Sequence, residues 1–535
     1  IRTKYEGLDG TELAIAESQE RMAVVISKDD LQELEKQVAA ENLEATVVAK
    51  VTADQRLVMK WRKRTILALN RDFLNSNGVR QKTKVYVTEP DSRSYFHTGF
   101  EKVNGDGQLE AAWLNNLKDI NVASQRGLVE RFDSTAGAGT VLLPFGGKYS
   151  LTPSLGMAAK IPVLQGETNT CTLMAYGFNP ELTTWSPFHG GLYAVLDSIT
   201  KIVAMGGDPS RIRLTFQEYF EKLGNDARKW GKPFAALLGA FMAQKGLQIP
   251  SIGGKDSMSG TFNELNVPPT LVSFAVGIAH ARTVISPEFK KAESHVILLR
   301  LARQADETPD LEGFKQNLHA VYELIKKGQV LAAHNIGLGG TAAAISKMCF
   351  GNKIGMVFAD GYNTSKLFSP DYGSLILEID RRENPKLLLQ GLAYESLGVT
   401  TEEPVIVIGD VRINLDRALK EWEAPLNEVF PIKQDQPGVP EKILYQKGKP
   451  GKAKYQMAKP KVLIPIFPGT NGEYELEKAF RQAGGRVDPF VFQTRTPERI
   501  KESFTLMASK IKDSQLIAFA GGFSAGAEPE GSGRL

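Results

Sequence analysis

The last stretch of the chain constrains the fold most. Beyond residue 461 short apolar runs alternate with helical patterns: 462–466 reads as a strand, 473–483 as a helix, 487–492 as a strand, 497–509 as a helix and 516–519 as a strand. Strict alternation of this kind specifies an α/β unit. Residues 433–460 precede it, rich in Gln, Pro, Gly and Lys and poor in large apolar side chains, and they read as a linker. Lysines such as Lys447, Lys449 and Lys452 therefore belong to a solvated tether and not to a nucleic-acid patch.

Ahead of the linker lies too much chain for one core. At 535 residues, a prior of about 150 residues per domain gives three or four domains. Apolar content of 42% and charged content of 24% are ordinary for a globular protein, and a net charge of +4 makes no case for nucleic acid or a membrane surface. An anionic substrate meets a mildly favourable field. Two cysteines, Cys171 and Cys349, sit in apolar sequence and cannot build a disulfide framework, which points to reduced thiols and the cytoplasm. There is no apolar run of about 20 residues to span a bilayer.

The richest local chemistry is at 251–260, Ser-Ile-Gly-Gly-Lys-Asp-Ser-Met-Ser-Gly. Gly253 and Gly254 are expected to turn the backbone and bring its N–H groups close to an anion, Lys255 adds a cation, and Ser257 and Ser259 add donors. That inventory suits phosphate, although the Walker A spacing is absent and a tight turn beside a solvated lysine has the same composition. Residues 188–206 carry Tyr193, Leu196, Ile199, Ile202 and Val203 at helical spacing with a glycine stop. Asp197 and Lys201 lie one turn apart on that helix, as a surface ion pair would.

Near the start, a hexad from Glu17 to Met22, polar but for Met22, separates two apolar runs, and the order strand 23–26, helix 28–42, strand 45–51 follows. The segment 367–408 reads as a second copy of this unit without the hexad, with a helix over 385–397. Short helical patches are expected at 61–69 and 109–117, and 134–140 reads as a small-residue loop. Strands at 170–176 and 296–299 and helices at 311–327 and 342–349 complete the pattern.

In order, Phe145-Gly-Gly-Lys-Tyr-Ser, Ser186-Pro-Phe-His-Gly-Gly, Leu214-Thr-Phe-Gln-Glu-Tyr-Phe, the Gly-Gly-Lys-Asp-Ser segment and Pro268-Pro-Thr-Leu-Val-Ser-Phe resemble phosphoribosylformylglycinamidine synthase, large glutamine-dependent type. The C-terminal unit resembles the start of a class I glutamine amidotransferase with a flavodoxin-like parallel sheet. The resemblance implies an α/β and α+β multidomain chain cut short at both ends. Its parts would be the tail of a first synthetase-like C-terminal domain (1–55), a connecting segment (56–142), an aminoimidazole-ribonucleotide-synthetase-like N domain (143–285) and C domain (286–432), the linker (433–460) and a truncated amidotransferase (461–535).

The same resemblance implies ATP-dependent amidation of formylglycinamide ribonucleotide with ammonia from glutamine, with ATP and Mg²⁺ as cofactors. It implies Glu17, Ser18, Gln19 and Ser257 at the substrate, Gly253, Gly254 and Lys255 at ATP, and Gly521, Gly522 and Phe523 as the glutaminase oxyanion loop. Asp256 and Asp197 become metal candidates. The catalytic histidine and cysteine are expected outside this chain, in first-half and glutaminase regions of the same polypeptide, and His189 is read as structural. Relatives carry acids where this sequence has Asn335 and Leu338, and a hard cation prefers charged oxygens, so the second-half pocket is expected to have lost full metal binding. A degenerate, scaffolding half is the alternative.

Overall fold

The computed structural model describes residues 7–16, 22–76, 82–97, 106–132, 135, 137–163, 166–433 and 457–522. It divides into two compact units, one of residues 1–82 with 442–535 and one of 83–441.

The first unit begins with α1 (Gly10–Ile15), closed by a reciprocal capping box between Asp9 and Glu12, and continues with α2 (Leu31–Ala40). Strands β1 (Arg56–Trp61) and β2 (Arg64–Asn70) form an antiparallel hairpin where the sequence suggested a helix at 61–69. Arg62 and Lys63 turn it with φ of +47° and +67°, and neither residue type advertises such a turn. The expected strands at 23–26 and 45–51 do not form. No described segment pairs with either, and an apolar run without a ladder partner has no means to satisfy its backbone as a strand.

The second unit opens with α3 (Asp106–Lys118), the helix expected around 109–117. A five-stranded sheet follows, built from β3 (Met157–Lys160), β4 (Thr170–Gly177), β5 (Arg213–Tyr219), β6 (Ser251–Lys255) and β7 (Thr270–His280) in the order β3-β4-β7-β5-β6. Only β5 and β6 run parallel. Helices α4 (Pro187–Ala204) and α5 (Ala227–Leu247) pack together, α4 directly on the sheet. Along β7 the face toward α4 carries Ser273, Ala275, Gly277 and Ala279, small residues that admit the helix closely. A Cβ on Gly177 of β4 would fall 2.1 Å from the Ala194 carbonyl oxygen, so α4 rests almost on the backbone. The opposite face, with Met174 and Tyr176, is open.

A seven-stranded sheet comes next: β8 (His295–Leu299), β9 (Val330–Asn335), β10 (Gly355–Phe358), β11 (Leu375–Ile379), β12 (Tyr394–Thr401), β13 (Val405–Ile408) and β14 (Val411–Asn414), in the order β9-β11-β8-β12-β10-β13-β14. Its helices are α6 (Leu311–Lys326), α7 (Gly340–Phe350) and α8 (Leu415–Asn427). Burial on both faces explains the unbroken apolar text of β8: Ile297 and Leu299 join the core shared with α4 and α6, Val296 and Leu298 the one under α7 and α8. The helix expected over 385–397 stops at Leu388, because Tyr394–Thr401 is recruited as β12 between β8 and β10. With that helix shortened and the amino-terminal strands unformed, the described residues of the two segments differ in secondary structure.

The remaining elements return to the first unit: β15 (Lys461–Ile466), α9 (Glu473–Gln482), β16 (Arg486–Val491), α10 (Pro497–Asp513) and β17 (Leu516–Ile517). All three strands are parallel, in the order β16-β15-β17, as strand–helix alternation requires. The carboxyl end of β16 meets the end of α2. Asn42 and Thr494 exchange hydrogen bonds of 2.9 and 3.0 Å, and Arg495 donates to the Leu43 carbonyl at 2.8 Å. Among the described residues no helix is long and apolar enough to cross a membrane.

Candidate functional site

The diglycine segment is an edge strand and not a turn. Gly254 pairs with Phe216 and Lys255 with Gln217 along β5, past a register shift between Leu214 and Phe216. A Cβ on Gly254 would lie 2.4 Å from the Phe216 carbonyl oxygen, so glycine serves close strand approach here and not chain reversal. Lys255, the last residue of the strand, and Asp256, just past it, are exposed, and Ser257 is half-buried. The Ser257 carbonyl accepts the Phe220 N–H at 2.9 Å, and its hydroxyl lies 3.4 Å from that of Ser259. One cation and two hydroxyls therefore gather at the carboxyl ends of two parallel strands.

Sequence reasoning missed Glu218 at the same end of β5. It is 6% exposed, and burial first, then the charge of Asp256, push its carboxyl from 4.5 up to about 7. Its alternating position in a strand gave no sign of a buried acid. Glu218 and Asp256 make a pair, and no group of three His, Cys, Asp or Glu side chains suited to a metal occurs among the described residues.

The second cluster lies where α4 meets β9. Asp197 is 3% exposed, so the surface ion pair suggested by its spacing is in fact buried. Lys201 Nζ lies 2.7 Å from its Oδ2, and Asn335 Nδ2 donates to its Oδ1 at 2.7 Å. Lys201 also donates to the Tyr176 carbonyl at 2.7 Å and sits 4.9 Å from that ring's centroid. Next to Asn335, His334 is buried with Nε2 unpartnered, and burial pushes its imidazole down to about 3. Burial, followed by the charge of Lys201, brings Lys347 of α7 down to about 8. Mg²⁺ does not fit this donor set, since the one carboxylate is already paired with an ammonium and accepts from an amide, and among the described residues no group of three His, Cys, Asp or Glu suited to a metal gathers around it.

Other polar side chains hold the two sheets' layers together. Asp371 takes Arg303 at 2.7 Å and Arg300 at 2.8 Å, and Arg303 also donates to Tyr193 and lies over Phe96. Ser186 caps α4 by accepting the His189 N–H, and the His189 ring lies between the Ser186 hydroxyl and the Asp306 carbonyl at 2.8 Å each, anchoring a loop to the helix start.

In the parallel-stranded unit, residues 467–472 and 521–522 meet at the carboxyl ends of β15 and β17. Asn471 N–H donates to the Gly521 carbonyl at 2.8 Å, and Thr470 bridges Gly522. A Cβ on Gly522 would fall 2.1 Å from the Gly469 carbonyl oxygen. Phe523 lies outside the described residues, as do Glu17, Ser18 and Gln19.

Residues 459–535 match the CobB/CobQ-like glutamine amidotransferase domain, and residues 2–62 match the AIR synthase related protein, C-terminal domain. Among solved structures, T. maritima PurL complexed with ATP superposes with a TM-score of 0.52 at 17% identity, covering 75% of this chain and 58% of that one. The architecture is therefore that of an AIR-synthase-like α+β protein joined to an amidotransferase-type α/β unit.

Among curated relatives, phosphoribosylformylglycinamidine synthase subunit PurL of Thermoplasma acidophilum is 25% identical over 464 residues, 80% of this chain and 58% of its own length. The Thermus thermophilus subunit is 24% identical over 461 residues, 80% of this chain and 60% of its own. The chain is a relative of phosphoribosylformylglycinamidine synthase and spans somewhat over half the length of these relatives.

Proposed function

We propose that this chain is part of a ligase that converts formylglycinamide ribonucleotide to formylglycinamidine ribonucleotide, consuming ATP and glutamine-derived ammonia. The observation that carries this reading is the union, in one chain, of an AIR-synthase-type region with an amidotransferase-type unit. An amide oxygen is a poor leaving group. Transfer of the ATP γ-phosphoryl group to that oxygen gives an iminophosphate, and ammonia then displaces inorganic phosphate, leaving the amidine and ADP. ATP supplies the phosphoryl group, and the accompanying Mg²⁺ offsets phosphate charge; Asp197 is not its ligand, and Asp256 remains a candidate only together with Glu218.

In this reading the backbone of Gly253 and Gly254, on an exposed edge strand, approaches the nucleotide phosphates. Lys255 neutralises them and Ser257 donates to the substrate. Glu17, Ser18 and Gln19 are further candidates for binding the substrate. Gly521, Gly522 and Phe523 supply N–H groups to the glutaminase oxyanion. The proposed divisions are 1–55, 56–142, 143–285, 286–432, 433–460 and 461–535. The test is calorimetric titration of ATP and, separately, of formylglycinamide ribonucleotide into the protein and its Lys255→Ala and Ser257→Ala variants. Lys255→Ala is expected to weaken ATP binding and Ser257→Ala to weaken the formylglycinamide ligand selectively. Binding unchanged in both variants removes the site assignment.

A second reading, in which residues 143–432 are a scaffolding half, is favoured by Asn335, whose amide closes Asp197 where a metal-binding pocket would need a free carboxylate. A nucleotide bound with a divalent metal at Asp197 would exclude it.

A further inference from the structure

We infer that the Lys201 ammonium is the resident cation of the junction between the two sheets, and that this junction is held without a divalent metal. The inference holds equally for a working ligase and for a scaffold. Asp197 and Lys201 are one helical turn apart on the same face of α4, and the helix is buried on almost every side. The ammonium touches three things: the carboxylate of its own helix, the carbonyl at the end of β4, and the face of the Tyr176 ring. Those are an anionic oxygen, a neutral oxygen and a π-face, the surroundings of a cation.

The far oxygen of Asp197 accepts from Asn335 of β9. A carboxylate only accepts, so the Asn335 amide must turn its NH₂ toward Asp197 and its oxygen away. Both oxygens of the buried acid thus face donors. A Mg²⁺ ion about 2.1 Å from Oδ2 would stand no more than about 5 Å from the ammonium, and among the described residues no group of three His, Cys, Asp or Glu suited to a metal is there to hold it. Asp197 then links α4 to β9 through Asn335, and Lys201 links α4 to β4 through the Tyr176 carbonyl. The ion pair between them joins the two links.

The test uses the purified protein after chelation, with Mn²⁺ as probe and two readouts, thermal unfolding and the Mn²⁺ electron paramagnetic resonance signal. Wild-type protein is expected to keep its Tm through chelation and to show no Mn²⁺ site that Asp197→Asn removes. Lys201→Asn, which withdraws the ammonium and offers an amide oxygen, is expected to lose several degrees of Tm and to regain most of the loss with Mn²⁺. Lys201→Arg keeps a cation and is expected to need no metal. A wild-type Mn²⁺ site abolished by Asp197→Asn would overturn the inference. So would a Lys201→Asn protein as stable as wild type in the absence of metal.

Discussion

Replacing Glu218 with glutamine is expected to leave stability unchanged below about pH 4.5, to stabilise the protein increasingly as pH rises from there to about 7, and to hold that gain at higher pH. In the unfolded chain the carboxyl titrates at its ordinary 4.5; in the folded protein burial and Asp256 hold it protonated up to about 7. Below the lower value both states carry the proton and stability is unaffected. As pH rises through the interval only the unfolded state ionises, so folding stability falls; above the upper value the loss is constant. At about 1.4 kcal/mol per decade of proton affinity the full loss would be about 3 kcal/mol, and water at the open end of β5 reduces it to about 1–2 kcal/mol. Glutamine keeps the shape and cannot ionise.

Urea unfolding followed by tryptophan fluorescence at several pH values between 4 and 8 would read this directly. Wild type is expected to lose stability as pH rises across the range attributable to this group, and Glu218→Gln to lose about 1–2 kcal/mol less by pH 8. Asp256→Asn should recover a smaller share, because burial is the larger cause. Parallel pH profiles for wild type and Glu218→Gln would refute the reasoning.

Asp371→Ala should cost about 3 kcal/mol in denaturant unfolding, since it leaves Arg303 charged and largely buried without its anion. Gly254→Ala should destabilise β6 by about 1–3 kcal/mol, seen as faster amide exchange in 251–255, because its Cβ meets the Phe216 carbonyl. Asn42→Ala should speed exchange at 493–495 through loss of its paired hydrogen bonds, at a cost of about 1 kcal/mol, without affecting the seven-stranded sheet.

Periodicity exposed the central helix α4, the doubly buried β8 and the parallel strands β15 to β17, because in each the burial pattern follows local spacing. The hairpin of β1 and β2 escaped because Arg62 and Lys63 occupy left-handed conformations that their residue types do not signal. Residues 23–26 and 45–51 have strand composition, but a strand also needs a neighbour. Gly253-Gly254 suggested a turn because glycine permits both reversal and close approach, and only the Phe216 contact distinguishes the two. Asp197 and Lys201 were readable as a pair; their burial was not, because the residue that seals them lies 138 positions from Asp197. Glu218 was hidden for the same reason, its neighbour Asp256 arriving just past the end of the next parallel strand.

The proposed chemistry is tested most directly by isotope transfer in the full polypeptide supplied with ATP, glutamine and formylglycinamide ribonucleotide labelled with ¹⁸O at the amide that becomes the amidine. If ATP phosphorylates that oxygen, the label is expected in inorganic phosphate, one atom for each amidine formed. Amidine formed with unlabelled phosphate, or ATP consumed without amidine, would contradict the account.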